Sequence, residues 1–241
     1  YNFKVKVMRD FRWNIGLRAQ EKYAYRDYYF TKDGDTTNPQ RIFNYRDIML
    51  GFKFSFRERT LQTTKGSVSF GSDYPEVWFN YTAGLNVLNS DFTYHRFDLK
   101  VQDKMYIKYI GEFAWRLMGG YILGQLPISN NYAGKGTYRM ITLYAPYSFG
   151  TMRTNEFYSS KYASLFLSHN FQNLLFDLPR WHPELMLITN ISFGTIDHLE
   201  NHNNFDFNTL ELGYYESGFL IRKILDLNFY DLGVGVMYRY G

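Results

Sequence analysis

Residues 11–20 read Phe11-Arg12-Trp13-Asn14-Ile15-Gly16-Leu17-Arg18-Ala19-Gln20. The odd positions are apolar, and the even positions are charged, amide-bearing or glycine. A helix would scatter both sets over every face, whereas an extended strand sends alternate side chains to opposite sides and separates them. The stretch therefore reads as a strand with one apolar and one polar face. It decides the fold class because the same period recurs along the chain.

Ile48, Leu50, Phe52, Phe54 and Phe56 alternate with Met49, Gly51, Lys53, Ser55 and Arg57. Val77, Phe79, Tyr81, Ala83 and Leu85 oppose Trp78, Asn80, Thr82 and Gly84. Phe97, Leu99 and Val101 oppose Arg96, Asp98, Lys100 and Gln102. Phe113, Trp115, Leu117, Tyr121 and Leu123 oppose Glu112, Ala114, Arg116 and Met118. The pattern persists less cleanly in Ala163-Leu165-Leu167, Leu185-Leu187-Ile191-Phe193, Tyr215-Phe219-Ile221 and Leu232-Val234-Val236-Tyr238-Tyr240. With a short piece at Phe3-Val5-Val7, about ten strands are predicted.

The strands run to about ten residues, longer than the usual five or six of a soluble sandwich and long enough to span a bilayer when tilted. Arg and Lys recur at mid-strand on the polar face, which suits a wet interior. Aromatic residues make up 20% of the chain, with 23 Tyr and 22 Phe, yet hydrophobic residues reach only 45% and mean hydropathy is -0.39. Tyr suits an interfacial girdle, its ring in the apolar zone and its hydroxyl in water. The expected class is all-β: an antiparallel transmembrane β-barrel segment over residues 1–241. Trp13, Leu17, Leu50, Phe52, Phe54, Val77, Phe79, Trp115, Leu117, Leu165, Val234 and Val236 form its outward set.

Other classes fall away. No apolar run of about 18 residues exists to form a spanning helix. The chain has no cysteine, and its net charge of +4 comes from interspersed Lys and Arg without a polybasic run. Thiolate metal sites and nucleic-acid partners are not expected.

Connections differ in length. Arg9-Asp10 and Tyr109 to Gly111 are tight, whereas 25–43, 125–160 and 197–211 are long. Long loops face outward and short turns face the periplasm in such barrels. The first strand then runs inward and the tenth outward, so the chain reads as part of a larger barrel.

The 125–160 loop carries Tyr132, Tyr138, Tyr144, Tyr147 and Phe149, and such length in an ordered loop points to function. It is expected to fold back into the lumen. Its Gly134-Lys135-Gly136-Thr137 lacks the upstream glycine and the strand–loop–helix setting of a phosphate loop. Asp197-His198-Leu199-Glu200-Asn201-His202 groups possible metal ligands but has no helix to order them, and a solvated loop is expected. Ser168 and His169 are adjacent on one strand and cannot form a nucleophile–base pair. Asp33-Gly34-Asp35 lacks the closing Glu of a calcium loop. No catalytic residue, metal or cofactor is expected.

The run Met152-Arg153-Thr154-Asn155-Glu156-Phe157, leading into Ser160-Lys161-Tyr162-Ala163-Ser164-Leu165-Phe166-Leu167, resembles the lid-loop region of the outer-membrane assembly-factor barrels, the BAM- and TAM-type insertases. It is more closely similar to Bacteroidota-type barrels that follow a carboxypeptidase-like regulatory domain. Gly71-Ser72-Asp73-Tyr74-Pro75, Ser90-Asp91-Phe92-Thr93-Tyr94-His95-Arg96, Gly213-Tyr214-Tyr215-Glu216-Ser217-Gly218 and residues 233–241 carry the same likeness.

The resemblance implies about sixteen strands, a Gram-negative outer-membrane location, and a lid motif of Met152, Arg153, Glu156 and Phe157 facing a seam strand with Ser192 and Gly194. In that superfamily an Arg at the loop tip contacts a carboxylate on a neighbouring strand. Arg153 matches the Arg, but Thr154 replaces a glycine and Ser192 stands where an Asp belongs. Arg153 is read either as that lid cation or as a lumen cation with a local partner; Glu156 is the first choice of anion, with Asp98 and Glu216 the other candidates. The expected function is non-enzymatic, in membrane-protein assembly or surface export with the lumen plugged; the alternative is a passive channel or structural anchor. Expected partners are the lipid bilayer, lipopolysaccharide, and other outer-membrane or periplasmic subunits.

Overall fold

The computed structural model describes residues 2–6, 10–32, 39–64, 66–69, 71–87, 90–137, 143–176, 181–227 and 230–240. Asp33-Gly34-Asp35 and Tyr138 lie outside them. Ten strands form one antiparallel sheet: β1 (Asn2–Lys6), β2 (Phe11–Tyr23), β3 (Ile42–Ser55), β4 (Glu76–Gly84), β5 (Tyr94–Ile107), β6 (Gly111–Leu123), β7 (Lys161–Asn170), β8 (Glu184–Thr195), β9 (Leu210–Leu227) and β10 (Tyr230–Tyr240). Each strand pairs with its sequence neighbours in an unbroken up-and-down order. Among the described residues β1 and β10 are the two edges, so the sheet is open.

Register carries the alternation across the molecule. One row joins Phe11, Phe54, Val77, Val101, Leu117, Leu165, Ile191, Tyr215 and Tyr240 from β2 to β10. A parallel row on the other face joins Ser55, Glu76, Gln102, Arg116, Phe166, Asn190, Glu216 and Arg239. The apolar face is the exposed one: Trp13, Leu17, Leu117, Leu187, Phe219 and Val236 are all exposed. Asp47, Glu76, Asn190, Ser192 and Glu216 on the polar face are buried.

The sheet curls toward its polar face. The loop after β2 and the loop after β8 lie at least five strand spacings apart, about 24 Å across a flat sheet. Yet the Tyr28 hydroxyl lies 2.9 Å from His202 Nδ1, and Tyr29–Phe30 pairs with His202–Asn203 as a short two-stranded sheet. Tyr28, Phe30, Phe43, Tyr45, Phe92, Tyr94, Leu126, Ile128, Tyr132 and Tyr158 pack into an aromatic core that closes this end.

Two features depart from a plain meander. The connection from β3 to β4 is not a tight turn: it holds its own hairpin, Thr60–Thr63 with Gly66–Ser69. Strand β9 carries two register shifts, one between Ser192 and Gly194 of its partner and one between Ile221 and Leu225. The second bulge, with Lys223 at φ 53, turns consecutive residues toward one side. Lys223 Nζ and Arg222 Nη1 then both reach Glu184, at 2.6 and 3.7 Å. The Ile224 carbonyl, freed from the ladder, accepts from Trp181 Nε1 at 2.9 Å.

Candidate functional site

The connection between β6 and β7 lies on the polar face of the sheet. Its first part enters the aromatic core through Leu126, Ile128 and Tyr132. Lys22 Nζ on β2 donates to the Ser129 carbonyl at 2.7 Å and to Asn130 Oδ1 at 2.6 Å. Arg96 on β5 donates to the Asn130 carbonyl at 3.1 Å, and its guanidinium stacks 4.1 Å from the Tyr132 ring. The Tyr132 hydroxyl donates to the Phe97 carbonyl at 3.0 Å.

The second part, residues 143–157, crosses β6 to β10. Phe149, Met152 and Phe157 pack with Phe166, Leu210 and Tyr214 into a second core. At its centre is Glu216 of β9, 1% exposed. Its carboxylate accepts from Gly150 N at 2.9 Å, Thr151 N at 3.0 Å, Thr151 Oγ1 at 2.6 Å and Asn190 Nδ2 at 2.7 Å. A buried anion is tolerated only when its oxygens are satisfied. Here the donors are two consecutive backbone amides, a hydroxyl and a wall amide, so Glu216 fastens the segment to the sheet.

Arg153 and Glu156 fall into different roles from those expected. Arg153 to Glu156 form a tight turn with Asn155 at φ 60. The Arg153 amide, not its guanidinium, donates to Glu156 Oε2 at 2.8 Å, and Glu156 N returns to the Arg153 carbonyl at 3.3 Å. The Arg153 side chain is exposed and has no partner among the described residues. The cation on Glu156 is instead Arg239 of β10, 3.0 Å from Oε1, with its guanidinium 4.6 Å from the Tyr214 ring and 5.4 Å from Phe157. The turn aims Glu156 at the wall and Arg153 away from it, which removes the expected Arg153–Glu156 ion pair.

Met152 is fully buried and Phe157 nearly so. Ser192 is buried on β8 and shares a hydroxyl hydrogen bond of 2.7 Å with Ser164. Gly194 is where the returning chain crosses β8: a Cβ there would lie 2.5 Å from Ser159 Oγ and 2.9 Å from the Lys161 carbonyl. Met152, Glu156 and Phe157 thus meet Tyr214 and Arg239 on β9 and β10, Glu216 holds Gly150 and Thr151 just before them, and Ser192 and Gly194 meet the segment's exit. Glu216 and Arg239 sit 65 and 83 residues from their loop partners, so no local pattern could have paired them.

The remaining motifs disperse. Asp197 pairs with Lys161, His198 with Glu200, and His202 with Tyr28. Among the described residues no three acidic, His or Cys side chains group as a metal site. Ile128 N donates to the Tyr28 hydroxyl at 3.0 Å, so the hydroxyl proton goes to His202 Nδ1 and the ring is neutral. Burial lowers the His202 pKa to about 4, and burial also pushes the Tyr28 phenol up. Thr137 of the glycine–lysine loop donates its hydroxyl to the Gly150 carbonyl.

Residues 2–182 match a family described as "Family of unknown function (DUF5686) C-terminal domain". No curated protein matches the chain.

Proposed function

We propose that this chain, which belongs to the DUF5686 C-terminal-domain family, forms part of the wall of a transmembrane β-barrel in a Gram-negative outer membrane, its polar interior plugged by residues 125–137 and 143–157. The observation that carries the reading is the inverted burial of the sheet. An apolar row runs unbroken over nine strands, with Leu117, Tyr215 and Tyr240 exposed and its other members half-exposed, while Asp47, Glu76, Asn190 and Glu216 on the opposite face are buried. In water an uncovered apolar surface of that extent is unfavourable, at about 25 cal/mol per Å². In a bilayer it is the required outer band.

A non-enzymatic role in membrane-protein assembly or surface export fits a wall whose interior is filled by a specifically anchored segment. Lipid, lipopolysaccharide and neighbouring outer-membrane or periplasmic subunits are its proposed partners. The second reading is a passive channel or structural anchor. It draws on a cavity of about 420 Å³ left between residues 144–148 and the polar face of β6 to β9, lined by Phe166, Met186, Ile188 and Asn190.

The absence of native cysteine allows single labels to be placed cleanly. Spin labels at Leu50 and Lys53 in reconstituted protein are expected to partition oppositely, Leu50 to lipid-soluble oxygen and Lys53 to a water-soluble relaxant. Equal water exposure at both positions ends the membrane reading. Planar-bilayer conductance after deletion of residues 143–150 separates the two functions: a marked rise supports the plug, and an unchanged current supports an open pore.

A further inference from the structure

Most cations on the polar face have a carboxylate. Arg12 and Lys53 share Glu58, Lys53 also reaches Glu76 at 2.8 Å, Arg18 holds Asp47, Arg96 holds Asp98, and Arg239 holds Glu156. Lys100, Arg116 and Lys135 form no ion pair among the described residues. They also converge. Lys135 Nζ lies 3.4 Å from Met118 Sδ, Met118 stands directly opposite Lys100 in the β5–β6 register, and Arg116 is two residues along the same face. Cross-strand neighbours sit about 5 Å apart and same-face residues about 7 Å apart.

Each cation rests on a neutral surface: Lys100 Nζ 3.6 Å from the Trp78 ring, the Arg116 guanidinium 3.5 Å from the Tyr147 ring, and Arg116 Nε 2.8 Å from Gln102 Oε1. The three repel one another. Glu76 is the one carboxylate within reach of Lys100 and Arg116, and its oxygens already take Lys53, Ser55 and Gln102. Lys100 and Arg116 are half-buried, while Lys135 is exposed on the segment above them, so the site is open to solvent.

We infer that Lys100, Arg116 and Lys135 form a binding site for a phosphoryl group, with the arginine fork and two point charges closing on its oxygens. Arg offers paired donors matched to phosphate geometry, and two lysines supply charge without fixed direction. The site lies partly on the β6–β7 segment, so an occupant draws segment and wall together. It needs only the polar face and therefore stands apart from the membrane reading.

The test uses the full chain in zwitterionic detergent, with the thermal midpoint followed by circular dichroism against chloride at matched ionic strength. Pyrophosphate and phosphatidic acid in mixed micelles are the two probes. Stabilisation by both points to the shared phosphoryl chemistry, by pyrophosphate alone to a soluble ligand, and by phosphatidic acid alone to a lipid headgroup. Lys135→Gln, exposed and neutral to folding, is expected to weaken the response about tenfold and to raise the unliganded midpoint slightly by relieving repulsion. Lys104→Gln, which removes a surface pair with Glu112, is expected to keep the full response. No stabilisation beyond chloride, or an undiminished response in Lys135→Gln, overturns the site.

Discussion

The two faces of the sheet are built from the same strands, residue by residue in alternation, yet they are held in opposite ways. The polar face finds its partners inside the chain: Asp47 takes Arg18 and Tyr94, Glu184 takes Arg222, Lys223 and Asn170, and Glu216 takes the loop backbone. The apolar face packs ring on ring along the strands, as in Trp13 with Phe52, Phe52 with Phe79, and Phe193 with Tyr215. The difference teaches that fastening and environment are separate here. The polar face is closed by hydrogen bonds the chain supplies, whereas the apolar face, on the proposed reading, is completed by an apolar medium.

The comparison breaks most sharply if charge is moved between faces. Leu117 and Arg116 are neighbours on β6 with opposite orientation. Leu117→Arg is expected to destabilise reconstituted protein by about 2–4 kcal/mol, the usual cost of a cation at mid-bilayer. Arg116→Leu removes an unpaired cation and is expected to cost less than about 1 kcal/mol. Urea unfolding in lipid vesicles measures both, and equal costs would mean that the faces do not see different media.

The next largest effect belongs to Glu216. Glu216→Gln keeps the shape but removes the charge and one acceptor, leaving a backbone amide of the segment poorly met. The expected cost is about 2–3 kcal/mol, felt by residues 143–157 rather than by the sheet. Limited proteolysis of the segment should speed up while strand amide exchange stays slow. Parallel loss of both would show that segment and wall form one cooperative unit.

The closed end adds a pH term. His202 is neutral in the fold, with a pKa near 4 against about 6.5 when unfolded. A depressed pKa contributes stability that is full above pH 6.5 and is lost as pH falls toward 4. Between pH 7 and 5 the loss amounts to about 1–2 kcal/mol. Protonation fills Nδ1 and breaks the relay from Ile128 N through Tyr28, so exchange at the Ile128 amide should quicken over that range. His202→Gln should flatten the response; an unchanged profile would show that His202 does not carry it.

How much of this was legible in the sequence follows from range. All ten strands and the apolar face were readable, because period two is a local signal and each strand repeats it. The hairpin at 60–69 was not, since its residues carry no long alternation. The bulges of β9 were also hidden: Gly213 and Lys223 take positive φ, but only pairing with β8 and β10 reveals the shifted register. In the site, Met152 and Phe157 were picked out by likeness and both are buried. The anchor Glu216 was one carboxylate among several, and its choice depends on how the sheet curls. Asn155 at φ 60 decided against Arg153, since it sets which way the turn's side chains leave.

The smallest expected effect tests that last point and is the most discriminating. Arg153 and Arg239 are both near Glu156, one by three residues of sequence and one across the fold. Arg239 is part-exposed, with side-chain accessibility of 39%, so screening limits its ion pair with Glu156 to about 0.5–1 kcal/mol. Its stacking on Tyr214 and Phe157 adds a similar amount. Arg239→Gln is therefore expected to cost about 1 kcal/mol, falling with added salt, and to loosen the segment at Phe157. Arg153→Ala leaves the Glu156 contact to the backbone amide untouched and is expected to change stability by less than about 0.3 kcal/mol. A double-mutant cycle with Glu156→Gln distinguishes them: coupling to Arg239 and none to Arg153. Coupling of the same size to Arg153 would mean that its guanidinium folds back onto Glu156 in solution, and the lid assignment by likeness would regain its cation.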